Sequence, residues 1–186
     1  MRKNFGPQPL LYPQLVMLVA SYGEDGTPDA MNAAWGGVAG GNRIFLCLSS
    51  DHKTVKNILN RKAFTVSVAD EAHLVEADYV GLVSGNDVPD KLERSGFHVR
   101  KSDFVDAPVI GELPLVLECK LLSYDPASHF MLGEIVNAGA DEAILDEAGR
   151  IDPARLRPIT FDPANRAYWS LGKKVGDAFA DGNKLK

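Results

Sequence analysis

Apolar runs along this chain are short and are repeatedly closed by turn-forming residues. Leu15 to Ala20 (Leu-Val-Met-Leu-Val-Ala) favours an extended conformation and stops at Gly23-Glu24-Asp25-Gly26, so it predicts a strand entering a hairpin. A second extended segment, Asp29 to Trp35, ends in the glycine-rich stretch Gly36 to Gly41, and a third, Arg43 to Leu48, follows at once. Three successive strands of this kind predict a meander. The period then changes, because Val55, Ile58 and Leu59 recur at helical spacing with Lys53, Lys56, Asn57 and Asn60 on the other side. Asp51 or a neighbouring serine is a suitable cap for that helix.

Ala63 to Val68 alternates as a strand, Glu71 to Tyr79 and Pro89 to Ser95 read as short helices, and Gly96 is placed to stop the second of these. Leu115 to Tyr124 and Phe130 to Asn137 are further strands, joined by Asp125-Pro126-Ala127-Ser128-His129 as a hairpin turn. After Asp141 charge and proline increase, Tyr168 to Gly172 is the last apolar segment, and a polar tail follows Asp177. Many short strands with few long helices point away from a doubly wound parallel sheet and toward a mostly antiparallel barrel with helical decorations.

The chain has 186 residues, a length that favours one domain over residues 1–186, with a core at about 15–172. Twenty basic against 25 acidic residues give a net charge of −5, which sets the molecule as a whole against nucleic acid and anionic membrane surfaces, although a local basic pocket can still hold a phosphate. Cys47 and Cys119 sit in separate apolar runs without zinc or dithiol spacing, and read as buried thiols. Prolines 7, 9 and 13 interrupt any apolar segment at the start, and no run approaches the roughly 20 residues of a membrane span. The expected location is the cytoplasm. His52, His73, His98 and His129 show no metal-ligand spacing, so no metal is expected.

Two stretches carry candidate chemistry. Ser49-Ser50-Asp51-His52-Lys53-Thr54 joins a strand end to a helix start, where unsatisfied backbone N–H groups and the helix dipole favour an anion and Lys53 adds a full charge. The same residues also make a plain helix cap. Asp29 to Gly37 combines small residues, the Asn32 amide and the Trp35 indole on a strand leading into a flexible loop, which lets a planar ring approach the backbone; a core strand with a packed tryptophan has the same composition. The glycines from 36 to 41 fit neither a dinucleotide fingerprint nor a phosphate loop.

The order Met31 to Trp35, Ser49 to Thr54 with Asn57-Ile58, Val83-Ser84-Gly85 with Asp90-Lys91, and His129 before Gly133-Glu134-Ile135 resembles the flavin reductase-like, FMN-binding split-barrel family, in particular its flavoredoxin type. The resemblance covers roughly Leu15 to Gly172. It implies a mainly β fold, a six-stranded antiparallel Greek-key split β-barrel with short helices, forming a homodimer with FMN near the interface. Carried over by position, Asn32, Ala33, Ala34 and Trp35 lie along the isoalloxazine or ribityl chain. Ser49, Ser50, His52, Lys53 and Thr54 surround the phosphate, with Ser84, Gly85 and Lys91 as further cofactor residues.

Relatives often carry asparagine at the position of Asp29 and a hydroxyl residue at that of Ala34, and the family's Gly-Asp-His turn reads Ala127-Ser128-His129 here. His129 is the candidate for nicotinamide contact or proton handling, a turn histidine on the surface being the plain alternative. The implied activity is an oxidoreductase that takes hydride from NAD(P)H onto FMN and passes electrons to free flavin, a small molecule or a protein. The alternatives are a noncatalytic FMN-binding carrier or sensor and a barrel without a ligand.

Overall fold

The computed structural model describes residues 1–186. After the short β1 (Gln14–Leu15), β2 (Met17–Tyr22) turns at Gly23–Gly26 and pairs antiparallel with β3 (Pro28–Ala33), as the turn cluster predicted. Residue side alternates along β2. Met17 and Val19 enter one apolar cluster, whereas Val16, Leu18 and Ala20 enter another on the opposite face. A strand buried on both faces has no polar positions to alternate, which is why this run reads as continuously apolar.

The predicted meander is not formed. β4 (Gly36–Val38) and β5 (Arg43–Cys47) pair with each other but leave β3, because β5 takes β10 (Phe130–Ala140) as its other neighbour. Between them in the chain lie helix α1 (Lys53–Arg61), β6 (Ala63–Val68), α2 (Leu74–Leu82), α3 (Lys91–Ser95), the β7 (Val99–Lys101) and β8 (Pro108–Ile110) ribbon, and β9 (Leu115–Asp125). The main sheet therefore runs β3-β2-β6-β9-β10-β5-β4, entirely antiparallel, with seven strands where six were expected. Its two edges, β3 and β4, are separated in sequence only by Ala34 and Trp35. Edges so tethered require the sheet to curl round on itself, while the missing β3–β4 ladder leaves the barrel split. The fold is mainly β, a curled antiparallel split barrel.

Inside the curl, Phe64 from β6 is fully buried among Ile44, Leu46, Val66, Cys119 and Met131. It fits only because β10 presents a glycine opposite, since a Cβ on Gly133 would lie 2.5 Å from the Phe64 ring. The β9–β10 pairing shifts register between Leu132 and Gly133, which accommodates that contact. α1 closes one end of the barrel by burying Val55 and Ile58 in the same cluster, and Lys62 ends the helix in a left-handed conformation.

A second layer lies on the outer face of β2 and β3. α2 and α3 supply Ala77, Val80 and Leu92, and the three-stranded sheet β1–β11–β12 adds Ile159 from β11 (Ile159–Asp162), with β12 (Ala167–Ser170) at its edge. The short α4 (Pro153–Leu156) leads into β11 and is capped by the Asp152 carboxylate. Gly96 ends α3 at φ 84°, as predicted. The two thiols differ: Cys119 is buried and its pKa is pushed up to about 12 by that burial, whereas Cys47, expected inside, is exposed at the end of β5. No helix is long and apolar enough to cross a membrane.

Candidate active site

Three chain segments that are distant in sequence enclose a cavity of about 520 Å³ beside the open seam of the barrel. The first wall is the end of β3 and its link to β4. Asn32, Ala33, Ala34 and Trp35 all line the cavity, with Trp35 partly exposed. Asn32 is held by donating from Nδ2 to Ala77 O at 3.0 Å and to the Tyr168 hydroxyl at 3.4 Å. α2 can lie this close only through Gly81, where a Cβ would stand 2.7 Å from that of Asn32.

The second wall is the turn from β5 into α1, where Ser49, His52, Lys53 and Thr54 line the cavity and Ser50 does not. His52 occupies the N-cap position, but neither it nor Asp51 nor a serine caps the helix through a side chain, and the first turn holds no acidic residue. A plain side-chain cap is thus not what these residues build. The amides of Lys53, Thr54 and Val55 precede the first possible i→i−4 bond, so they have no helical acceptor and leave the positive end of the helix available to a ligand.

The third wall runs from the end of α2 through Val83, Ser84 and Gly85. A buried charged pair, Asp29 and Lys91, lines the cavity beside it. Lys91 is 3% exposed and its Nζ donates to Val80 O at 3.0 Å and Val83 O at 3.1 Å, with Asp29 Oδ1 at 3.4 Å. The second Asp29 oxygen accepts the Thr54 hydroxyl at 2.5 Å. Burial pushes the Lys91 ammonium below the usual lysine range, and Asp29 opposes that shift.

Sequence reasoning did not single out Asp78, Phe161 or Cys47 for the site. Tyr168, Asp78, Phe161 and Cys47 also face the cavity. The Tyr168 hydroxyl donates to Asp78 Oδ1 at 2.7 Å, and burial followed by that carboxylate raises the tyrosine pKa to about 12, so it stays protonated at neutral pH. Tyr168 and Asp78 are 90 residues apart, and no local pattern links them. His129 lies in the turn between β9 and β10 at φ 59°, outside the cavity wall. Its carbonyl accepts Leu48 N at 2.9 Å, and its buried Nδ1 has no hydrogen-bond partner.

These features define a split antiparallel barrel with a roomy cavity at its seam, bounded by a helix start without a side-chain cap. The chain belongs to the flavin reductase like domain family, whose match spans residues 10–161. Flavoredoxin of Desulfovibrio vulgaris (Miyazaki F) is 34% identical, with a TM-score of 0.93 over 98% of this chain and 100% of that one. Flavoredoxin from Methanosarcina acetivorans is 26% identical, with a TM-score of 0.90 over the whole of both chains, 100% of each. A protein of Aquifex aeolicus (strain VF5), described only as uncharacterized, is 34% identical over 111 residues, which cover 57% of this chain and 55% of that protein, so the match spans about half of that relative.

Proposed function

We propose that the cavity holds FMN and that the protein is an NAD(P)H-dependent flavin oxidoreductase. The observation that carries this reading is the α1 start: amides without helical acceptors, no capping side chain and the Lys53 side chain, with Lys53 and Thr54 on the wall of a cavity of about 520 Å³. That donor set suits a phosphate dianion, because amides and a lysine donate without contributing any negative charge. Ser49, His52, Lys53, Thr54 and Ser84 would hold the phosphate end, and Asn32 to Trp35 would border the isoalloxazine, where small side chains leave room for a planar ring.

When bound, FMN supplies the redox chemistry, accepting hydride from NAD(P)H and releasing electrons to free flavin or another small-molecule or protein acceptor. The chain's own part is to bind and orient the cofactor beside the protonated Tyr168 and to keep one side open to a second substrate. The reading includes a homodimer with the cavity near its interface; the partly exposed Trp35 at the barrel seam supports it, since large aromatic side chains at a cavity mouth suit coverage by a partner.

The test is anaerobic addition of NADH or NADPH to the protein loaded with FMN. Prompt bleaching of the visible flavin band is the expected result with at least one of the two donors. Bound flavin that stays oxidised with both would contradict the oxidoreductase reading and leave a noncatalytic carrier.

A further inference from the structure

Asp29 presents a difficulty to an anion site, because a buried carboxylate lies on the wall that would receive the phosphate. Gly85 shows how near it is. A Cβ on that glycine would clash with Asp29 Oδ1 and stand 3.3 Å from the Lys53 side chain, so the carboxylate and the lysine expected to hold the phosphate both lie against the same face of this backbone segment. An unpaired charge at such depth would act on a phosphate through little intervening water.

Lys91 answers this charge. Lys91 also lines the cavity, but its ammonium is engaged by three oxygen partners: Val80 O and Val83 O at the end of α2, and Asp29 on β3. Thr54 completes the chain of contacts by donating its hydroxyl to the other Asp29 oxygen from the first turn of α1. The assembly thus ties the end of α2, β3 and the start of α1 together and cancels the carboxylate's charge.

We infer that Lys91 is a positioning and charge-cancelling residue: paired with buried Asp29, it makes the α1 start fit for a phosphate that Lys91 itself does not touch. The inference rests on the FMN reading and deepens it. It also assigns Thr54 a different part, since its hydroxyl proton is committed to Asp29 and only its backbone amide is left to donate.

A double-mutant cycle read by fluorescence titration with FMN and with riboflavin, which lacks the phosphate, tests it. Lys91→Met leaves Asp29 unpaired and is expected to weaken FMN binding by at least about tenfold while changing riboflavin binding less than about threefold. The double variant Asp29→Asn/Lys91→Met removes both charges and is expected to bind FMN within about threefold of wild type. This comparison holds even if the single lysine variant does not fold.

A double variant that has lost FMN selectively would show that Lys91 meets the phosphate, and equal loss of FMN and riboflavin in Lys91→Met would reduce the pair to a structural support; either result overturns the inference. Wild-type protein that binds no FMN overturns the FMN reading itself, an outcome visible before any variant is compared.

Discussion

Lys53→Ala is expected to weaken FMN binding by roughly 10- to 100-fold, the effect of losing one charge-assisted contact of about 1.5–3 kcal/mol. Riboflavin affinity should change little, and so should thermal stability. Lys53 begins α1, whereas the core contacts of that helix are made by Val55 and Ile58 on its buried face. Changing Thr54 at the same time would blur the result, because Thr54→Val removes a buried donor from Asp29 and carries its own stability cost. Fluorescence titration of the single variant gives the answer, and an FMN dissociation constant equal to that of wild type would remove the phosphate from the α1 start.

Phe64→Ala is expected to lower the free energy of unfolding by about 3–5 kcal/mol, the range for a large aromatic side chain removed from a packed interior. Phe64 is fully buried at the centre of the barrel cluster. Its ring fills the space that Gly133 leaves, and the backbones on both sides of it, β6 and β10, are held in the sheet. Urea unfolding with an unchanged slope is the check. A loss below about 1 kcal/mol would mean that the barrel interior relaxes around the cavity instead of keeping its shape.

What the sequence discloses about this fold follows the range of the forces concerned. β6 runs from Ala63 to Val68, matching its alternation, and the β9–β10 hairpin and the Gly96 stop are likewise local properties of the residues that form them. The meander failed because strand neighbours are chosen by burial across the whole sheet, and nothing between Ala33 and Arg43 records that β5 will lie against β10. Helix α2 begins at Leu74 and not at Glu71, since Asp70 and Glu71 are taken by contacts with His73 and with the chain at Arg157.

The site divides in the same way. The helix start at Lys53 and the small residues before Trp35 are legible as types in a row. The Asp78–Tyr168 contact and the inward turn of Lys91 depend on packing between segments far apart, and therefore appear only in three dimensions.

The most direct test of the central claim, that this cavity is a flavin mononucleotide site, is equilibrium titration of the wild-type protein with FMN and riboflavin in parallel. Saturable quenching with FMN bound at least about tenfold more tightly than riboflavin is predicted, because about 1.4 kcal/mol from the α1 amides and Lys53 is enough for that ratio. Equal affinity for the two flavins, or no binding of either, would contradict it.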